Sequence, residues 1–181
     1  MKKNEEVTIQ SETIFNGRVI SLELHDVKLP NGRESKREII KHPGAVAIIP
    51  FKEDGKIVMV EQYRKAMERN LLEIPAGKLE KGEAPEVTAR RELEEETGYG
   101  CEKLKHIISF YTSPGFADEL VHVYEATGLY EIEDHLELDE DEFVELVEVT
   151  LEEAEEYIRT QRIFDAKTAF AVQYARLKEY K

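Results

Sequence analysis

From Val7 to His42 apolar and polar residues alternate in three short runs, Val7–Ile14, Arg18–Lys28 and Ser35–His42, and Pro30-Asn31-Gly32 marks a turn between the last two. A period of two is that of a strand, so this stretch predicts a small antiparallel sheet. Two or three strands alone are marginal in water, which predicts docking on the main domain or on a second subunit. Past Gly44 the pattern changes to apolar runs, Ala45–Phe51 and Lys56–Tyr63, joined by the hairpin signal Glu53-Asp54-Gly55. Leu71–Pro75 predicts a further short strand. Pro85 suits the first turn of a helix and Gly98 the left-handed position just past its end, so a helix is predicted over Ala84–Thr97. Strands at Glu102–Tyr111 and Leu120–Leu129 follow, separated by Thr112-Ser113-Pro114-Gly115-Phe116, a loop expected beside that helix because consecutive strands usually neighbour one another. After a strand at Phe143–Val149, Thr150 and Glu153 form a capping box that opens a helix to about Arg159, and Asp165 caps a last helix with Ala166, Phe170 and Tyr174 on one face. The sum is an α+β fold, helices around a mixed β-sheet core. Residues 1–42 form an N-terminal β-extension and residues 43–181 the main domain.

Composition narrows the partners. With 41% hydrophobic and 35% charged residues, 181 residues suffice for one domain with a proper core and a small appendage. A net charge of −14 repels nucleic-acid backbones and anionic membranes, so neither is an expected partner. It also repels a phosphorylated small substrate, which therefore requires a neutralising metal and a few placed arginines. Cys101 stands alone and cannot form an internal disulfide, no signal-peptide pattern is visible, and no apolar run approaches the roughly 18 residues of a membrane span; a cytoplasmic location is expected. The five histidines are scattered without ligand spacing and read as surface or structural residues.

The predicted helix carries the chemistry. At roughly 100° per residue, Glu92, Glu95 and Glu96 fall within an arc of about 100°, bordered by Ala89 and Leu93, while Glu94 points away. Like charges at these spacings destabilise a bare helix by roughly 0.2–0.5 kcal/mol per pair, so their place beside the buried face needs a reason. A divalent cation supplies one, and an all-oxygen set without Cys or His points to Mg²⁺ or Mn²⁺ rather than zinc. The carboxylates alone also fit a plain solvated acidic face. Ahead of the helix, Pro75 and Gly77 bracket Ala76 in rigid backbone of the kind that exposes a carbonyl, although an ordinary turn reads the same way.

Gly77, Glu83, Arg91, Glu92, Leu93, Glu95, Glu96 and Gly98 stand at the spacing of the Nudix box: G, five residues, E, seven residues, then R-E-U-x-E-E-x-G-U with U bulky and apolar. Only Tyr99, aromatic where an aliphatic residue is usual, departs from it. The chain therefore resembles the Nudix hydrolases. Its N-terminal β-extension, and Pro114 fifteen residues after Tyr99, resemble the ADP-ribose pyrophosphatase branch in particular. That branch cleaves ADP-ribose with water to AMP and ribose 5-phosphate, uses Mg²⁺, and is typically a homodimer with exchanged N-terminal sheets.

By position, the resemblance implies metal ligation by the Ala76 carbonyl, Glu92, Glu96 and Glu142, with Glu95 a direct or water-bridged ligand. Arg91 is expected to pair with one of these carboxylates and fix its rotamer; a plain i,i+4 pair with Glu95 is the simpler alternative. Glu83 is expected to act as a carboxylate on the N-terminal end of the helix dipole. Arg37, Glu38 and Arg64 match nucleotide-holding positions, and Ser113, Gly115 and Glu119 a substrate-side loop. Arginine suits that work because its fork grips phosphate bidentately and its plane stacks on adenine. Metal-bound glutamates are poor bases, so the base is expected in Asp139-Glu140-Asp141-Glu142, where Glu140 matches the family's proton acceptor and crowded carboxylates raise one another's pKa. Two other readings stay open: hydrolysis of another nucleotide sugar such as GDP-mannose, and a ligand sensor that does not cleave. The full set of box glutamates argues against the sensor.

Overall fold

The computed structural model describes residues 3–138 and 143–179. Its strands are β1 (Val7–Asn16), β2 (Ser21–Lys28), β3 (Glu34–Lys41), β4 (Ala45–Pro50), β5 (Ile57–Arg64), β6 (Arg69–Glu73), β7 (Ala76–Lys78), β8 (Tyr99–Tyr111), β9 (Leu120–Glu131) and β10 (Val144–Val149), and its helices are α1 (Pro85–Thr97), α2 (Leu151–Arg159) and α3 (Ala166–Glu179). Three sheets result, ordered β1-β2-β3, β10-β5-β6 and β7-β4-β9-β8. The α+β class expected from the pattern is the one observed.

The chain separates into two compact units. The first comprises the residues up to Gly44 together with Phe110–Val121, so a segment assigned above to the main domain packs with the extension. Backbone pairing explains this. The Ile40 amide donates to the Phe116 carbonyl at 2.7 Å and the Asp118 amide to the Ile40 carbonyl at 3.1 Å, extending β3 by a parallel bridge. Asp118 secures the join, its Oδ1 accepting from the His42 amide at 2.8 Å while its carboxylate meets the Lys41 ammonium. Along the other edge of this sheet all ten residues of β1 are exposed, Val7, Ile9, Ile14 and Phe15 among them.

The second unit comprises Ala45–Ser109 and the chain from His122. The unbroken apolar runs of β4 and β5 are covered on both faces, as such runs require. Val46 and Ile48 of β4, Ala89 and Leu93 of α1, and Cys101, Tyr124 and Ala126 of β8 and β9 form one core cluster, which seats α1 on the four-stranded sheet. The predicted capping box opens α2: Thr150 Oγ1 accepts from the Glu153 amide at 3.2 Å and Glu153 Oε2 from the Thr150 amide at 2.8 Å, an exchange worth about 1 kcal/mol. Asp165 caps α3, its Oδ1 accepting from the Thr168 amide at 3.2 Å.

Element boundaries differ from the sequence reading where a turn intervenes. β2 starts at Ser21 rather than Arg18 because the Gly17 amide closes a turn on the Ile20 carbonyl at 2.9 Å. The strand expected at Leu71–Pro75 is β6, which runs from Arg69 and stops at Glu73, and a further strand, β7, follows it; Pro75 between them has no N–H for a ladder, and its carbonyl accepts from Ile48 at 2.8 Å. β8 begins at Tyr99, directly after the left-handed Gly98, rather than at Glu102.

Candidate active site

Helix α1 is entered through Ala84 in extended conformation, begins at Pro85, one residue later than its sequence predicts, and ends on Gly98 at φ 70°. Its buried residues are Thr88, Ala89, Glu92, Leu93 and Glu96. Two carboxylates thus occupy positions that an amphipathic helix ordinarily gives to apolar side chains, and Glu92 and Glu96 are each only 7% exposed. Burial of a carboxylate is costly unless charge or hydrogen bonds meet it.

Strand β7 before the helix borders both. A Cβ on Gly77 would stand 1.8 Å from the carboxyl carbon of Glu92, so the glycine is required for room: any side chain there displaces the Glu92 carboxylate. The neighbouring Ala76 amide donates to Glu96 Oε2 at 2.9 Å, and Ala76 is held in turn by its pairing with Ala47 of β4. Strand β7 thus donates to Glu96 through Ala76 and leaves room for Glu92 at Gly77.

Arg91 does more than the single pairing expected of it. Nη1 donates to Glu92 Oε1 at 2.9 Å and Glu95 Oε2 at 2.7 Å, and Nη2 to Glu83 Oε2 at 3.3 Å. Burial opposes the Arg91 charge, but Glu92, Glu83 and Glu95 outweigh it and raise its pKa. Glu83 also accepts from Thr88 Oγ1 at 2.7 Å, the leading cause of its lowered pKa, with Arg91 adding to it against burial. Glu94 does not simply point away: it is half-buried and its Oε1 accepts from the Leu136 amide at 3.1 Å.

Arg64 lies at the end of β5, where its Nε and Nη2 grip Glu73 Oε1 and Oε2 at 2.7 and 2.8 Å. Lys167 of α3 reaches the same carboxylate and also Asp165 Oδ1 at 2.9 Å. Sequence reasoning missed Glu73 and Lys167, and read Asp165 only as the cap of α3. The signal was present, a charged residue inside the apolar run Leu71-Leu72-Glu73-Ile74.

The remaining expected residues lie in the first unit. Arg37 is gripped by Glu6 at 2.8 and 2.6 Å, and Glu38 beside it on β3 is exposed. In the loop bridged to β3, the Ser113 carbonyl accepts from the Phe116 and Ala117 amides, Gly115 has open space around it, and Glu119 accepts from Thr112 Oγ1. Arg37, Glu38, Ser113, Gly115 and Glu119 thus share one unit, and Ala76, Arg64, Arg91, Glu92, Glu95 and Glu96 share the other. Glu140 and Glu142 lie outside the described residues.

Among the described residues no three His, Cys, Asp or Glu side chains stand grouped so that they could hold a metal ion between them. Mg²⁺ does not need such a group, since it is usually held by one or two carboxylates and keeps waters and substrate phosphates as its other ligands. The buried carboxylates of Glu92 and Glu96, the first lying where only a glycine at position 77 leaves it room, are oxygen donors of the kind such a hard cation takes.

This fold, with a box helix whose buried carboxylates border the preceding strand, defines a Nudix hydrolase, and the chain belongs to that family. The NUDIX domain matches residues 41–169, and a second family, the nucleoside diphosphate sugar hydrolase N-terminal domain, matches residues 6–40. The chain is 62% identical to the ADP-ribose pyrophosphatase of Bacillus subtilis, over 99% of this chain and 97% of that one. It is equally, 62%, identical to the methanol dehydrogenase activator of Bacillus methanolicus, over 97% and 95% of the two chains. A crystal structure of an ADP compounds hydrolase superposes with a TM-score of 0.84, covering 97% of this chain and 95% of that one at 24% identity, a likeness of fold. Nudix pyrophosphatases generally use a divalent metal, in keeping with the donor set. No helix among the described residues is long and apolar enough to cross a membrane.

Proposed function

We propose that this protein is a Mg²⁺-dependent pyrophosphohydrolase that cleaves ADP-ribose with water to AMP and ribose 5-phosphate, with Mn²⁺ as a substitute metal. The observation that carries the chemistry is the pair of 7%-exposed glutamates, Glu92 and Glu96, on one face of α1 beside Gly77. The substrate rests on the near full-length identity to the B. subtilis enzyme.

Glu92, Glu95, Glu96 and the Ala76 carbonyl would hold the metal, with Glu142 a further ligand; when bound, it neutralises the pyrophosphate oxygens that otherwise repel a nucleophile. Arg91 fixes the rotamers of Glu92 and Glu95 from the side. Glu140 takes the proton of the attacking water, a task for which the ligating glutamates are too weakly basic. Arg64 binds the diphosphate, while Arg37, Glu38, Ser113, Gly115 and Glu119 hold the remainder of the nucleotide. The protein works as a homodimer with exchanged N-terminal sheets, a reading supported by the fully exposed β1 and its large apolar side chains. It acts in the cytoplasm.

The test is incubation of the purified protein with ADP-ribose, GDP-mannose and other nucleoside diphosphate derivatives in Mg²⁺. Preferred release of AMP from ADP-ribose, abolished by EDTA, is expected; equal or better turnover of GDP-mannose overturns the substrate assignment. Sedimentation that finds a fully active monomer overturns the dimer. The equal likeness to the methanol dehydrogenase activator favours a second reading, stimulation of an alcohol dehydrogenase. Addition of the protein to a methanol dehydrogenase assay reads it directly, with an unchanged rate as the refuting result.

A further inference from the structure

Glu73 is the most buried carboxylate described, 2% exposed, and it sits on β6 two residues before the proline that leads into the box. A lone carboxylate there would be strongly unfavourable, and the structure surrounds it with donors: Arg64 Nε and Nη2 on its two oxygens, and the Lys167 ammonium on Oε2. Burial pushes the Glu73 pKa up, yet the hydrogen bonds from Arg64 and the Lys167 charge overcome it and hold the group at about 2. It is therefore an anion throughout the working range of pH.

The geometry of the guanidinium gives this pair a direction. Arg64 spends its side edge, Nε–H with one Nη2–H, on Glu73. A guanidinium has a second, end-on edge formed by Nη1–H and the other Nη2–H, and this edge has no protein acceptor among the described residues. The Arg64 side chain is 40% exposed where Glu73 is 3% exposed, so the pair joins an arginine that reaches the surface to a carboxylate in the interior. Among the causes that raise the Arg64 pKa, the Glu73 hydrogen bonds come first, burial opposes them, and the charges of Glu73, Glu96 and Asp165 add to the rise. Two parallel N–H donors at fixed orientation match two oxygens of a phosphate.

We infer that Glu73 is a positioning residue for substrate: it clamps the side edge of Arg64, with Lys167 holding the clamp from α3, so that the end-on edge stands ready for a phosphate of the diphosphate. Arg64 touches substrate and Glu73 does not. The clamp removes the rotamer freedom that a long arginine would otherwise lose on binding, so its contribution appears in substrate affinity rather than in the chemical step. This inference rests on the pyrophosphohydrolase reading above.

A double-mutant cycle tests it, using wild type, Glu73→Gln, Arg64→Met and the double variant, with KM and kcat for ADP-ribose measured beside each thermal midpoint. Glu73→Gln is expected to raise KM about tenfold with kcat little changed, and to add nothing in the Arg64→Met background, because an effect routed through Arg64 vanishes with it. Losses that multiply in the double variant, or a kcat loss at unchanged KM, overturn the inference, since a general structural defect acts in both backgrounds. If Glu73→Gln does not fold, Lys167→Met loosens the same carboxylate from the other side; a KM rise of about threefold is expected, and an unchanged KM overturns the clamp. A wild-type protein that leaves ADP-ribose intact defeats the substrate reading alone. The clamp is then read by calorimetric titration of inorganic pyrophosphate through the same cycle, with Kd in place of KM and the same two outcomes.

Discussion

Around Arg91 three carboxylates, those of Glu83, Glu92 and Glu95, share one guanidinium, whereas around Glu73 an arginine and a lysine converge on one carboxylate. Both clusters lie in the same unit, and both include side chains that are nearly fully buried. Their charge ratios are inverted, and the inversion separates two kinds of work. Glu73 meets two cations of the protein itself, so its geometry is complete without any added ion. The carboxylates around Arg91, with Glu96 on the same helix face, crowd like charges together, an arrangement to which an added dication brings stabilisation. One cluster holds a shape, and the other is the seat proposed for an added charge.

Gly77→Ala tests the acidic cluster most severely. The new Cβ falls 1.8 Å from the Glu92 carboxyl carbon, so Glu92 must leave its rotamer. A misplacement near 1 Å in a reacting constellation costs about 100-fold, and a loss of that order in kcat/KM for ADP-ribose is expected. Activity within about threefold of wild type would show that the position of Glu92 is unimportant.

The two clusters should also separate in their response to metal. Saturating Mg²⁺, at about 100 times its Kd, stabilises a protein that binds it by about 2.7 kcal/mol, on the order of 5 °C for a chain of this size. Thermal melts are expected to show this rise in wild type and Glu73→Gln, and its loss in Glu92→Gln/Glu96→Gln. A rise that survives the double substitution places the metal elsewhere.

Acid should weaken the cation-rich cluster. The folded Glu73 pKa is lowered from 4.5 to about 2, so between these values the unfolded chain binds the proton and the folded one does not. The stabilisation is present in full above pH 4.5 and fades as pH falls toward 2, a change on the order of 3 kcal/mol from this residue. Denaturant titrations of wild type and Glu73→Gln from pH 6 to about 2.5 are expected to converge as the pH falls. A constant difference between the two across that range contradicts the assignment.

The smallest effect belongs to Glu94→Gln. The amide keeps an acceptor for the Leu136 amide, so stability within about 0.5 kcal/mol and turnover close to wild type are expected. A large loss of activity would give Glu94 a part in the site that its contacts do not.

Much of this was legible in the chain itself. Pro85 and Gly98 delimit α1 to within one residue because each supplies a backbone conformation that few residues match, and the helical period places Glu92 and Glu96 on the buried face. The role of Gly77 was hidden, because the need for space beside a distant side chain leaves no local pattern. Glu73 was visible only as an oddity in an apolar run; its partners come from the end of β5 and from α3, 94 residues away in the case of Lys167, and no periodicity connects them. The packing of Phe110–Val121 with the N-terminal unit was hidden for the same reason, since Ile40 and Asp118 meet through backbone groups that every residue carries.

The central claim, that the carboxylate face of α1 is the seat of a metal-dependent reaction, is tested most directly by kcat/KM for ADP-ribose across a Mg²⁺ titration in wild type and Glu96→Gln. A neutral amide keeps the shape of the side chain but is a poor ligand for a hard dication. Wild-type activity is expected to rise to a plateau with Mg²⁺ and to vanish in EDTA, while Glu96→Gln, folded by its thermal midpoint, stays at least about 100-fold lower at every concentration. Equal plateaus for the two proteins, or wild-type turnover that survives EDTA, would contradict it.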